Sequence, residues 1–480
     1  MRAFLLHSNE PGLDELLSGL VIPHGVKLPE GRAEERRLIY WGAYHPDKGE
    51  AAALQPVKSI LAALQPQRSA ELLRLHGLNT AAEIEGGDGE GERWTHEYIV
   101  PVFHLKALTV FHRTGNGVFY GGDRLAGHPV RPREDRDYTE IGLEQPGYYA
   151  TRALRLAIRS LYALGLDYGV VRVGVRTDAT LSVRGVDPIP KLTPRLAELF
   201  AQAINLFGQR LAREFESGAS REVMLGADPE FLLLNERGKV RFASQFVGRE
   251  GPFGCDAIVL PSRRKVFPLA ELRPAPSTDV RKLITHLHRT MQLAAKRITD
   301  AELTWVAGGM PVRGFPLGGH IHFSGIELDV QLLRVLDNYV ALPLTLLEDM
   351  TTSARKPEYG FLGDFRRQRH GGFEYRVLPS WMVSPSVAKG VLALAKLAAE
   401  HYPLLKRRPL GEYETVKAYY QSDKARIRPL VPALWNDLEK LRGYEALESY
   451  LLPLRRMMLQ MRSWSEKDDI RPKWKIAPFL

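Results

Sequence analysis

Gly318-Gly319-His320-Ile321-His322-Phe323-Ser324-Gly325 is the most regularly patterned polar stretch in the second half of the chain. Glycines punctuate both ends, and polar and apolar residues alternate between them. A period of two is the signature of a strand with one face buried. His320, His322 and Ser324 then share one face, and Ile321 and Phe323 the other. Two imidazoles at this spacing can aim at one metal ion or phosphate. The same spacing also suits a half-buried strand whose polar face meets water.

Neighbouring stretches bear on that choice. Leu225-Gly226-Ala227-Asp228-Pro229-Glu230-Phe231 opens an apolar strand with two carboxylates two residues apart, and Asn235-Glu236-Arg237-Gly238 turns it. Paired carboxylates repel unless a cation lies between them, although acids at a strand start can equally be solvated. Gly254-Cys255-Asp256-Ala257 and Leu269-Ala270-Glu271-Leu272-Arg273-Pro274 follow. Glu271 reads as a third carboxylate ligand, and Arg273 as the partner of an anion or of that carboxylate. A surface Glu–Arg strand end is the plainer alternative. Cys255 reads as a small core residue, and His286 and His288, on a helix over 278–299, as surface residues. Arg355, Arg366-Arg367 and Gly371-Gly372-Phe373-Glu374-Tyr375-Arg376 close the series. Glu374 and Arg376 share a strand face. The arginines can grip phosphates bidentately or form a basic solvated loop.

Gly-x-Asp-Pro-Glu-Phe at 226–231, Glu-Leu-Arg-Pro at 271–274, Gly-Gly-His-x-His-x-Ser at 318–324 and Glu-Tyr-Arg at 374–376 stand in one order. Together they resemble the carboxylate–amine ligase superfamily that includes glutamine synthetase and glutamate–cysteine ligase. The closer resemblance is to its phage-type and bacterial amidoligase (COOH–NH2 ligase) branch, over roughly residues 222–400. It implies an α+β fold, with a glutamine-synthetase-like antiparallel β-sheet funnel and flanking helices. ATP would enter one end and substrates the other. It implies Asp228, Glu230, Glu271, His320 and Glu374 as ligands of Mg2+ (or Mn2+), and His322 and Ser324 near the nucleotide phosphates. Arg376 would contact the transferring phosphoryl group, Arg355 and Arg366 other phosphates. Asp256 would bind the incoming amine or help the metal shell.

The implied activity is amide or isopeptide formation. Transfer of the ATP γ-phosphoryl group to a carboxylate gives an acyl phosphate, which an amine attacks. That step gathers negative charge, which divalent ions and arginines offset. The substrates would be amino-acid or peptide carboxylates and amines, with a protein substrate open. A guanidino-kinase-like phosphotransferase and a non-catalytic binding protein derived from ligases are the alternatives.

The N-terminal half reads as strands near Ala3–His7 and Leu38–Gly42, two short helices within 51–76, and a loop at 86–91. Strands over Glu97–Leu105, Ala107–His112 and Gly117–Tyr120 come next. A helix over 148–164, strands Tyr168–Val175 and Leu181–Val186, and a long helix from Thr193 complete it. Glu97–Phe103, Gly165–Val173 and the closing Gly185-Val186-Asp187-Pro188-Ile189-Pro190 resemble the later part of an ATP-grasp ligase. Gly185 stands where that family's metal-binding Glu belongs, Asp187 where its Asn belongs, and Arg172 where another acid is sought. The segment between 77 and 97 is short for a nucleotide-covering lobe. The expectation is a shortened, inactive ATP-grasp-like domain over 1–217, a catalytic core over 218–400 and a helical extension over 401–480 packed on it. An unrelated α+β domain is the alternative for the first.

At 480 residues the chain can hold two or three cores. Its 44% hydrophobic and 25% charged content are ordinary for a globular protein. The single cysteine excludes an internal disulfide and a cysteine-based zinc site, so a metal would rest on Asp, Glu and His, which suits magnesium or manganese. The net charge of +10 comes from dispersed arginines, without tracts or RNP-like motifs, so no nucleic-acid role is expected. No apolar run approaches the ~20 residues of a membrane span, and the start is too short for a signal-peptide core. Cytoplasm is the expected location, and an oligomer is open.

Overall fold

The computed structural model describes residues 2–10, 12–27, 36–42, 53–81, 94–114, 138–216, 222–260, 264–369 and 371–477. The loop at 86–91, the strand at Gly117–Tyr120 and most of the stretch around 218–222 lie outside the described residues. Contacts divide the chain into two compact units, Met1–Ala219 and Ser220–Leu480.

In the first unit Arg2–His7 pairs in parallel with His24–Gly25 and with Arg36–Trp41. A second, antiparallel sheet runs in the order Thr139–Ile141, Val110–Thr114, Trp94–Phe103, Tyr168–Arg176, Leu181–Asp187. Helix Tyr148–Ala163 lays Ala150, Ala153, Ala157 and Leu161 against it. That spacing makes one apolar stripe, and the small side chains admit a close approach. The two short helices form at Val57–Ala63 and Pro66–Leu75, with Pro66 at the first helical position, where a missing N–H costs nothing. The hairpin after Phe103 turns at His104 and Leu105, with φ of 49° and 61°, although no glycine marks it in the sequence.

Among the described residues of the second unit, eight strands form one antiparallel sheet. The main order is Phe253–Val259, Lys265–Leu272, Met224–Leu234, Gly319–Ser324, Phe373–Tyr375, Phe365–Arg367. Val240–Arg241 and Thr304–Val306 also pair with the end of Met224–Leu234. Alternation along these strands buries Leu225, Ala227, Phe231, Ala270, Leu272, Ile321, Phe323, Phe373 and Tyr375 on one face. The Tyr375 hydroxyl donates to Asp337 at 2.7 Å, so its polar end is satisfied within the core.

Pro229 sits inside the central strand, where a proline normally breaks a ladder. Glu230 N–H donates to Gly318 on one side. The N of residue 229 therefore faces the other side, where pairing with Lys265–Leu272 begins only at Glu230. No ladder bond is lost.

Helix Val280–Arg297 is capped by Asp279, whose carboxylate accepts from the N–H groups of Arg281 and Lys282. Val280, Leu283, Ile284, Leu287, Met291 and Ala294 make its buried stripe. Helix Pro385–Glu400 is apolar nearly all round, and packs against Val280–Arg297, Val330–Leu336 and Tyr444–Leu459. A helical run Val330–Leu347 is apolar and long enough to cross a membrane, which qualifies the expectation that no such run exists. It is 94% buried inside this unit. Residues beyond 400 belong to the same unit, with Trp464 N–H bonded to Leu347 and Ile470 N–H to Trp305. His286 and His288 are half-buried, each bonded through a ring nitrogen to a backbone carbonyl, Ala275 at 2.8 Å and Trp474 at 3.0 Å.

Candidate active site

The face opposite the apolar one carries the polar residues singled out above. Directly opposed residues of antiparallel strands share a face. The register pairs Glu230 with Glu271, Asp228 with His320, His322 with Glu374, and Arg366 with Glu374. Asp256 stands on the edge strand two residues from Gly254, the partner of Glu271. Five strands thus deliver their carboxylates and imidazoles to one surface.

Two groups of three possible ligands result. Asp228, His322 and Glu374 place one ligand atom each within 4.8 Å of one another, and so do Glu230, Asp256 and Glu271. His320 Nδ1 lies 3.3 Å from Asp228 Oδ1 and 3.3 Å from Glu374 Oε1. His322 Nε2 lies 3.1 Å from Asp228 Oδ2. Despite these approaches, Asp228 Oδ1, His320 Nδ1 and His322 Nε2 are buried without a well-formed hydrogen bond. Buried polar atoms are rarely left so. A divalent cation accepting their lone pairs is the simplest resolution, and the residues present fit one. The oxygen-rich donor set, with imidazole, suits magnesium or manganese.

Arginines border the acids. Arg273 pairs with Glu271 and Arg376 with Glu374 in close contacts. Arg366 Nη1 lies 3.3 Å from Glu374 Oε2, with 61% of its side chain open to solvent. Gln368 Nε2 donates to the same Glu374 oxygen at 3.2 Å.

An apolar wall explains the unusual acidities. Leu232 and Leu269, two residues from Glu230 and Glu271, join a buried cluster with Ile258, Val266, Val306 and Leu317. Burial pushes the Glu230 carboxyl up to about 7; the His320 charge and the Gly318 N–H, which donates to Oε2 at 2.6 Å, only partly oppose it. Glu271 is likewise raised, by burial first and by the Asp228 charge second, against Arg273. Burial also acts to raise Asp228, but His320 and His322 outweigh it and hold this carboxyl well below the usual range. Burial lowers His322, yet the close approach and charge of Asp228 leave it raised. Arg376 is raised in the same way, with Glu374 and Asp364 outweighing burial. Without a cation, adjacent acids thus hold protons that a cation would displace.

Some expectations need adjustment. Ser324 is half-buried on the same strand face as His320, but four residues, or about 13 Å, along it. Of the two roles expected for Asp256, its place beside Glu230 and Glu271 fits the metal shell. The expectation that Arg355 meets a phosphate is corrected. Arg355 is 2% exposed, and its guanidinium donates to the carbonyls of Val377 at 2.9 Å and Leu378 at 3.2 Å. It braces the chain just after Arg376. Gln368 and the Gly318 N–H went unnoticed in the sequence. Alternation from Arg366 could have found the first. The second follows only from the fold: a Cβ at 318 would overlap the His320 ring, so glycine is what lets this N–H reach Glu230.

The antiparallel sheet presents clustered carboxylates, histidines and arginines on one face. The chain belongs to the family described as "Phage phiEco32-like COOH.NH2 ligase-type 2", which matches residues 225–476, just over half its length. No curated protein matches. Among solved structures, an ATP-grasp ligase, PsnB, complexed with minimal precursor is 10% identical over 45% of this chain and 99% of its own, with a TM-score of 0.29. A bifunctional glutathione synthetase from Pasteurella multocida is 11% identical over 55% of this chain and 50% of its own, TM-score 0.33. A D-alanine–D-alanine ligase from Bacillus anthracis complexed with ATP is 12% identical over 45% and 98%, TM-score 0.26. Likenesses at these scores carry no argument about activity.

Proposed function

We propose that the chain is an ATP- and Mg2+-dependent carboxylate–amine ligase that forms an amide or isopeptide bond through an acyl phosphate. One observation carries the reading: two groups of three ligating side chains lie on one sheet face, with Arg366 and Arg376 beside them. Asp228, His322 and Glu374 would hold one cation, with His320 Nδ1 beside Asp228 and Glu374 as a further ligand, and Glu230, Asp256 and Glu271 would hold the other. Bound there, divalent cations supply charge neutralisation for the phosphates. Arg366, the most open of the bordering arginines, meets the incoming polyphosphate, and Arg376 faces the transferred phosphoryl group. A carboxylate oxygen of the acid takes the γ-phosphoryl group and ADP leaves. The amine nitrogen then bonds to the acyl carbon, the carbon–oxygen bond breaks, and phosphate departs, with the amine's proton passing to the departing phosphate or to solvent. The sheet would be the wall of a glutamine-synthetase-like funnel.

The first unit reads as an inactive ATP-grasp-like domain that holds a peptide or protein substrate. Arg172 and Gly185 are cross-strand partners, and a Cβ at 185 would stand 2.7 Å from Arg172 Nη2. The guanidinium covers the position where that family places an acid, which supports a lost metal site.

The test is phosphate release from ATP and Mg2+ with pooled amino acids and short peptides. Release that requires an amine supports ligation. A phosphorylated product without amine dependence would replace it with phosphotransfer. No turnover, together with unchanged metal binding in Glu230→Ala and Glu271→Ala, would remove both.

A further inference from the structure

Gly308-Gly309 precedes the site strand and has no place in the chemistry above. Its use becomes visible in the partner it admits. Glu466, 2% exposed, reaches into this turn from the C-terminal segment. Its Oε2 accepts from the Met310 N–H at 2.8 Å and the Thr351 hydroxyl at 2.8 Å. Its Oε1 accepts the Thr352 hydroxyl at 2.6 Å and, in a close contact, the Gly309 N–H. Gly308 has φ +122°, and a Cβ there would overlap the Glu466 carboxylate. A Cβ at Gly309 would come 2.5 Å from Thr352. The two glycines are the slot for these side chains.

Two hydrogen-bonded arms lead from this carboxylate to the site. In the first, the Gly309 carbonyl accepts the Leu317 N–H at 2.8 Å, and the next residue, Gly318, donates to Glu230. In the second, Thr352 lies on the turn Met350–Arg355, and Arg355 holds the Val377 and Leu378 carbonyls directly after Arg376. Cross-ties join the arms: Ser380 N–H to Gly308 at 2.8 Å and Gly319 N–H to Leu378 at 3.0 Å.

We infer that Glu466 is a positioning residue of the ligase site, fixing the Glu230 wall and the Arg376 wall relative to each other through these arms. The inference rests on the reading of that face as the active site. A carboxylate is acceptor-only, so all its donors are matched. A glutamine of the same shape turns an NH2 toward one of them, and a buried donor is then left unpaired.

The experiment uses full-length Glu466→Gln. Its control is Leu451→Ala, which empties a fully buried position on helix Tyr444–Leu459, a helix that packs mainly on Pro385–Glu400. Amide hydrogen exchange is followed by mass spectrometry, and Mn2+ affinity by the spin resonance of free Mn2+. In Glu466→Gln, peptides over 315–323 and 374–381 exchange at least tenfold faster, and Mn2+ binds about tenfold more weakly. In Leu451→Ala, at a comparable loss of melting temperature, neither changes. Should Glu466→Gln fail to fold, Thr352→Val breaks the second arm alone, accelerating 374–381 and sparing 315–323. The inference is overturned if either arm variant speeds exchange only around 308–310 and 350–353, or if Leu451→Ala moves the site peptides equally. Wild-type protein that binds no Mn2+ would remove the ligase reading, while the exchange data still decide the coupling.

Discussion

Replacing Glu230 with glutamine should stabilise the metal-free protein at alkaline pH. Burial beside Leu232, Leu269 and Leu317 raises the Glu230 carboxyl from its ordinary 4.5 to about 7. A carboxyl raised on folding favours the folded state where it is protonated. Its contribution is present below 4.5 and is lost as pH rises through 7. Each tenfold change in proton affinity is worth about 1.4 kcal/mol, so the ionised side chain costs the cation-free protein about 3 kcal/mol at pH 8. Glutamine removes the charge and keeps an oxygen for the Gly318 N–H. For a unit of this size, about 3 kcal/mol corresponds to a rise of about 6–10 °C in melting temperature. At pH 5 the gain shrinks to less than about 1 kcal/mol. Thermal melts of the full chain in EDTA from pH 5 to 8 measure it. Added Mn2+ should reverse the order, because wild type gains a ligand interaction that the variant lacks. Glu230→Gln melting at or below wild type at pH 8 in EDTA would show that the ionised Glu230 does not destabilise the cation-free fold.

Arg273→Gln removes the charge that lowers Glu271, so Glu271 rises further, and half-maximal Mn2+ binding moves to higher pH in a titration at fixed Mn2+. Arg355→Met strands the Val377 and Leu378 carbonyls in the core. It should cost about 2–4 kcal/mol in urea unfolding and reduce ATP turnover, although Arg355 is too buried to touch a ligand.

The polar face was legible because period-two alternation is local. His320, His322, Asp228, Glu230 and Glu374 could be assigned a shared face strand by strand before any pairing was known. The motif order supplied the family, and with it the expectation that the strands converge. What escaped was set by contacts remote in sequence. Arg355 looked like a solvent-facing arginine in a basic loop, and only the fold turns it inward to backbone carbonyls 22 and 23 residues away. Glu466 is 157 residues from Gly309, and nothing in its own neighbourhood marks it as buried. The run Val330–Leu347 carries Arg334 and Asp337, which interrupt its apolar pattern, and its burial comes from the helices packed around it. The His104–Leu105 turn takes positive φ without glycine or asparagine, because the strands on either side fix it.

On the proposed reading this face holds two divalent cations in two separate groups of ligands. The direct measurement is the number of Mn2+ ions bound per chain, from the spin resonance of free Mn2+ during titration. Wild type should bind two. Glu271→Gln should keep the ion of the Asp228–His322–Glu374 group, Glu374→Gln that of the Glu230–Asp256–Glu271 group, and the double variant none. Wild-type protein that binds no Mn2+, or a double variant that binds as many ions as wild type, would contradict the account.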